Sequence, residues 1–261
     1  MSEDIKIYEL SRVDLKDATV IDGFPSVGLV SSIVANYLIN VMKMRQIAIM
    51  DSVYFPTVSL VRDSIPMHPV RIYASDRMGS DDNTEMLVVF ISEFQPPPNL
   101  VKPIAQTMID WAEDQKCKML LSPEGLVIDR EADEADAGKN NITVYGVSSH
   151  PKLGHSVLGY GVSEFKEGVI TGVAGVLLNE GKRRDFPVVT LLTEAHPDYP
   201  DARAAAKVIE VIDKMLPQMP MLDPQPLYEE AERIESQLKM IRKQTESGKK
   251  QPGQERPSMY G

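Results

Sequence analysis

The sequence is poor in cysteine and tryptophan, with one of each among 261 residues. The lone Cys117 closes no internal disulfide, and its flanks, Lys116-Cys117-Lys118-Met119-Leu120-Leu121, read as the approach to a buried strand, so a reducing, cytoplasmic setting is expected. No run approaches the roughly 18 apolar residues that a membrane-crossing helix needs, and the start, Met1-Ser2-Glu3-Asp4, has neither the basic nor the apolar region of a secretory leader. Basic residues are outnumbered, 28 Lys and Arg against 38 Asp and Glu, and the net charge of -10 repels phosphate backbones and anionic lipid. Neither nucleic acid nor membrane is an expected partner.

Histidine is scarce as well. Of four, only His150 and His155 are near neighbours, and no cysteine lies close enough to complete a zinc cage, so no metal or other cofactor is expected. The acidic run Asp129 to Asp136 imitates the first positions of a calcium loop but lacks the sixth-position glycine and the twelfth-position carboxylate, where Asn140 stands. A solvated loop is the better reading.

What is present is an alternation of β-branched apolar runs with helical patterns from about residue 18 to residue 216, the pattern of an α/β sheet covered by helices. It predicts strands at Thr19 to Ile21, Gln46 to Met50, Val70 to Ala74, Met86 to Ser92, Met119 to Leu121, Thr143 to Val147, Gly168 to Thr171 and Val188 to Leu192. Helices are predicted at Val27 to Asn40, Leu100 to Gln115, Val173 to Asn179 and Ala202 to Leu216, the last with Asp201 as N-cap and Pro217 as stop. Hairpin-like strands around Ser75 to Asn83 would make the sheet mixed. The expected fold is a three-layer α/β/α domain with a mixed, largely parallel sheet, over residues 1–220.

The stretch from Pro217 to Pro226 carries four prolines, which block continuous helix and mark the end of the compact body. A helical extension over 221–247 follows, in which Leu227, Ala231, Ile234, Leu238 and Ile241 recur at alternating spacings of four and three, an a/d seam over two heptads. Leu227, Ile234, Leu238 and Ile241 are therefore candidates for an oligomer interface, and a helix packed on its own body satisfies the same pattern. Residues 248–261 read as a flexible tail: Gly248 to Ser258 has nothing apolar to bury and spans on the order of 20 Å root-mean-square. The tail then ends on Met259-Tyr260-Gly261.

The glycine-rich turns do not complete a catalytic motif. Gly23-Phe24-Pro25-Ser26-Val27-Gly28 lies between a strand and a helix, where backbone N–H groups can hold an anion, but no Lys-Ser/Thr follows. Gly175 to Lys182 has five residues between its glycines where a P-loop has four, and Gly154-His155-Ser156-Val157-Leu158-Gly159 is one residue too long for a nucleophile elbow.

Two segments resemble the proteasome assembly chaperone 2 family: Asp22-Gly23-Phe24-Pro25-Ser26-Val27-Gly28-Leu29-Val30, and the stretch Gly172 to Leu216, with Phe186-Pro187-Val188-Val189-Thr190-Leu191-Leu192-Thr193-Glu194-Ala195-His196-Pro197 and Pro200-Asp201-Ala202-Arg203-Ala204-Ala205. The resemblance covers about residues 18 to 216. It implies a core similar to nucleoside phosphorylases, usually without their catalytic residues, and homo-oligomers in archaeal and bacterial members. Some archaeal members carry a C-terminal hydrophobic-tyrosine-any-residue motif, the same motif by which proteasomal ATPases and assembly factors enter pockets between neighbouring 20S α subunits, and here it maps onto Met259, Tyr260 and Gly261. The resemblance thus implies a non-enzymatic, ATP-independent proteasome-binding protein, chaperone or activator. The alternative is a phosphorylase-like enzyme that binds a small molecule or anion near Gly23 to Gly28.

Overall fold

The structure, a computed structural model, describes residues 4–80, 83–127, 142–234 and 236–237. In chain order the elements are β1 (Ile5–Glu9), β2 (Thr19–Gly23), α1 (Val30–Val41), β3 (Arg45–Ser52), β4 (Leu60–Arg62), β5 (Ile65–Met67), β6 (Val70–Ala74), β7 (Met78–Ser80), β8 (Asn83–Glu85), β9 (Leu87–Ser92), α2 (Pro98–Asp114), β10 (Met119–Val127), β11 (Val144–Ser148), α3 (Pro151–Leu158), β12 (Ser163–Glu164), α4 (Gly172–Arg184), β13 (Val188–Ala195) and α5 (Ala202–Met215). A further helix occupies 225–234.

The main sheet runs β1-β3-β6-β9-β2-β10-β13-β11-β12. Its centre, β9, β2, β10 and β13, is parallel, while β1, β3, β6 and β11 pair antiparallel on the flanks. The central strands are continuous Val, Ile, Leu and Phe runs because both faces are covered. Alternate residues feed two cores. Ile21, Leu121, Val189 and Leu191 meet α1 and α5, whereas Val20, Val88, Leu120 and Val188 meet α2 and α4. This is the expected three-layer arrangement.

Several elements differ from the sequence reading. Gly168 to Thr171 is not a strand: Val169 is exposed, and Thr171, in extended backbone, is the residue that opens α4. Helix α4 runs on to Arg184 because Gly181 lets it close on Phe186 and Val188, where a Cβ would meet side-chain carbon at 2.5 Å. The hairpin near Ser75 to Asn83 exists as β7-β8 but forms its own two-stranded ribbon, so the main sheet is mixed for a different reason, the antiparallel flanks. Strand β10 continues through Pro123 because its pairing with β2 stops at Leu121, leaving the proline at an edge-like position.

The proline-rich stretch does not leave the body. Met219 and Leu222 are buried in the α1/α5 core, the Tyr37 hydroxyl donates to the Asp223 carbonyl at 2.5 Å, and the Leu222 N–H donates to Asp213 at 2.8 Å. The helix that follows begins packed on its own chain. Leu227 is part of the same core, Ala231 is buried, and Tyr228 donates to Glu210 at 2.5 Å with Arg203 and Lys207 near its ring. Ile234 is half-buried. Leu238, Ile241, the tail with Met259, Tyr260 and Gly261, and the acidic run 129–136 lie outside the described residues.

Candidate functional site

In a parallel sheet, side chains beyond the carboxyl ends of the strands are free to carry function, because the connecting turns there need not complete the ladder. In this protein the ends of β2, β10 and β13 converge on the turn 23–29. Gly23 lies so close to α1 and β9 that a Cβ would meet Ala35 and the Phe90 carbonyl at 2.5 Å. Ser26 opens a short 3-10 turn in which Gly28 (φ 60°) and Leu29 (φ 52°) are both left-handed. For leucine that conformation costs about 1–2 kcal/mol, so the surroundings must hold it.

Three contacts do so. The Asp201 N–H donates to the Gly28 carbonyl at 2.8 Å, and Asp201 in turn accepts from the Ala204 N–H at 2.9 Å, capping α5, and from the His196 N–H at 3.1 Å. Ser31 donates to the Pro123 carbonyl at 2.7 Å and lies 2.6 Å from the Ser26 hydroxyl. Gly125 lies under the turn, where a Cβ would stand 2.1 Å from the Val27 carbonyl. The two sequence segments singled out by resemblance therefore meet in space, at Gly28 and Asp201. Beside that joint, Ser26, Leu29, Gln95, Pro197 and Tyr199 line an open cleft of about 410 Å³, with Tyr199 stacked on His196 at 4.8 Å.

Beneath the turn is an acid pair that the sequence reading missed. Asp22 is buried, accepting from the Phe24 N–H at 3.0 Å and the Ser122 hydroxyl at 2.8 Å. Burial pushes its carboxyl up to about 6, against those two hydrogen bonds. Glu124 is pushed up to about 8, first by burial and then by the Asp22 charge, while the Gly125 N–H, the Ser26 hydroxyl and the Val27 N–H bind its carboxyl and pull the other way. The available signal was a carboxylate within each of two apolar strands, Asp22 in Thr19–Gly23 and Glu124 in Met119–Val127.

This geometry argues against an anion site at Gly23 to Gly28. An anion there would lie against the buried Asp22 and its neighbour Glu124, whose charged forms would repel it. A second arrangement imitates a hydrolase: Ser149 Oγ lies 3.0 Å from His150 Nδ1, and His150 Nε2 lies 2.8 Å from Asp185. The Ser149 hydroxyl, however, donates to the Phe186 carbonyl at 2.9 Å and accepts from the Val188 N–H at 2.9 Å, which ties β11 to β13 and leaves no proton for the imidazole to take. His155 lies on α3, and among the described residues no three His, Cys, Asp or Glu side chains gather as a metal site. No helix among them is long and apolar enough to cross a membrane. Cys117 is buried, and burial pushes its thiol up to about 12.

The chain belongs to the PAC2 family, whose model matches residues 20–242. It is 26% identical over 244 residues, 94% of this chain and 93% of the relative, to the Methanocaldococcus jannaschii protein MJ0106, itself uncharacterised. Among solved structures it is similar to Pyrococcus furiosus PbaA, described as an archaeal homolog of proteasome-assembly chaperone, at 30% identity over 95% of each chain with a TM-score of 0.79. Pyrococcus furiosus PbaB, described as an archaeal proteasome activator, shares the fold at 24% identity and a TM-score of 0.78 over 92% of this chain and 99% of its own.

Proposed function

We propose that this protein is a non-enzymatic, ATP-independent, cytoplasmic proteasome-binding protein, an assembly-chaperone homologue or core-particle regulator. It acts as a homo-oligomer and docks on the α subunits of the 20S proteasome through Met259, Tyr260 and Gly261. The observation that carries the reading is the PAC2 membership together with the 30% identity, along nearly the whole of both chains, to a homolog of a proteasome-assembly chaperone. The acid pair beneath the turn and the tied-off Ser149 weigh on the same side.

The chemistry of the last three residues supports the docking mode. A free carboxylate on Gly261 would meet a lysine and backbone N–H groups, while Tyr260 adds apolar area and a hydroxyl at low entropic cost. Several weak tails on one oligomer, facing a ring of pockets, gain roughly 10² to 10⁴ in avidity. Ile234, Leu238 and Ile241 continue the seam beyond Leu227 and are proposed to join the copies. The test is binding of the full chain, and of a chain ending at Ser258, to purified 20S proteasome from the same source. Full-length binding that the truncation abolishes is expected; equal binding by both removes the tail from the reading, and binding by neither overturns it.

A further inference from the structure

Helix α4 buries Val173, Ala174, Leu177 and Gly181 against the rest of the chain. Gly175, Leu178, Asn179 and Lys182 recur at helical spacing and form a second face along it. The segment that follows β12 crosses this face at its start, where the Ile170 carbonyl presses on Gly175 and a Cβ would stand 2.3 Å from it. Beyond that contact an open groove of about 390 Å³ separates helix and segment. From Gly175 to Lys182 it runs about 10 Å along the helix, the span of about three residues of extended chain.

The floor of the groove is an unfinished sheet edge. Strand β12 is the last in the order and pairs only Ser163 with Tyr145 and Glu164 with Gly146. The ladder stops at Phe165, whose N–H reaches the Gly146 carbonyl at 3.5 Å and whose ring packs edge-on against Tyr145. Val147 and Ser148 of β11 therefore have β13 on one side and, among the described residues, no strand on the other, and both line the groove. An edge of this kind is a template on which another chain can add a strand.

The charge of the groove is opposite to that of the chain. Lys166 on one wall and Lys182 on the other are exposed, and neither is ion-paired with a described residue. The next two basic residues of α4, Arg183 and Arg184, are by contrast both tied to Glu180. Among the described residues Glu167 is the one acid in the lining, whereas the whole chain carries a net charge of -10.

We propose that this groove holds an extended, acidic segment of a partner protein, added to the sheet as a strand beside Val147 and Ser148. Main-chain hydrogen bonds hold the segment, Lys166 and Lys182 select its carboxylates, and the half-buried Ile170 and Leu178 receive the apolar side chains between them. A free phosphate can use the lysines but neither the edge nor the apolar wall, and a nucleic acid is repelled by the rest of the surface. Met259, Tyr260 and Gly261 take no part, so failure of either proposal leaves the other standing.

The experiment is fluorescence anisotropy of a labelled, end-capped hexapeptide of alternating glutamate and valine, titrated with the full chain and with Lys166→Glu/Lys182→Glu. Saturable binding by wild type is expected, and the double reversal should weaken it by about 10-fold or more. Both lysines are exposed, so circular dichroism and melting temperature should not change, and the variant should instead prefer the lysine-valine counterpart of the probe. Of two peptides N-methylated on alternate amides, one in each phase, at least one should lose binding because it cannot complete the ladder. Inorganic phosphate equimolar with the probe should not displace it. No saturable binding by wild type, equal binding by the double variant, full binding by both N-methylated peptides, or displacement by phosphate would each overturn the proposal.

Discussion

Replacing Glu124 by glutamine tests the acid pair beneath the turn. Glutamine keeps the shape of a protonated glutamic acid, with one acceptor for the Val27 and Gly125 N–H groups, and removes the charge that burial and Asp22 oppose. In the folded chain the Glu124 carboxyl is raised from 4.5 to about 8, so between those values the folded state holds a proton that the unfolded state has released. Stability is then fully present below the unfolded value and falls as pH rises, until it levels off above the folded one. At 1.36 kcal/mol per pH unit, the loss of stability amounts to about 4 kcal/mol between pH 4 and pH 9. Asp22, raised from 3.8 to about 6, adds to the early part of that slope.

The assay is urea unfolding from pH 5 to pH 9. Wild type should lose stability across the range. Glu124→Gln should match it at pH 5 within about 1 kcal/mol and exceed it at pH 9 by about 3 kcal/mol, a gain on the order of 6–12 °C in melting temperature for a chain of this size. A wild-type curve that is flat from pH 6 to pH 9, or a variant that follows the wild-type slope, would refute the reasoning.

Gly125→Ala places a methyl 2.1 Å from the Val27 carbonyl, which is backbone and cannot swing aside, so the turn must lift off β10. A loss of about 2–3 kcal/mol in urea unfolding is expected, and a neutral result would mean that the turn is not seated on that strand. Cys117, with its thiol raised to about 12 and buried, should react with a disulfide reagent at pH 8 only as fast as the chain opens, so labelling should accelerate steeply in sub-denaturing urea; immediate stoichiometric labelling in native buffer would contradict its placement.

The segments legible from sequence were those whose pattern is local. Val70 to Ala74 and the α5 segment from Ala202 appear at the expected positions because their apolar period and, for α5, the Asp201 cap are written in consecutive residues. Strand β1 was not legible, since Ile5–Glu9 alternates weakly and becomes a strand only by pairing with Arg45–Ser52. Proline content marked Pro217 to Pro226 as a break in helix, which it is, but said nothing of Met219 and Leu222 finding room against α1 and α5.

For the site the division is similar. Sequence alone supplied the two segments that resemble the PAC2 family, the scarcity of metal ligands and the terminal Met259-Tyr260-Gly261, because these depend on residue identity and order. Only the tertiary structure decided that Gly28 and Asp201 touch and that Asp22 and Glu124 come together beneath the turn. Each depends on strand order and register, which bring residues distant in the chain within hydrogen-bonding reach and which a local pattern does not encode.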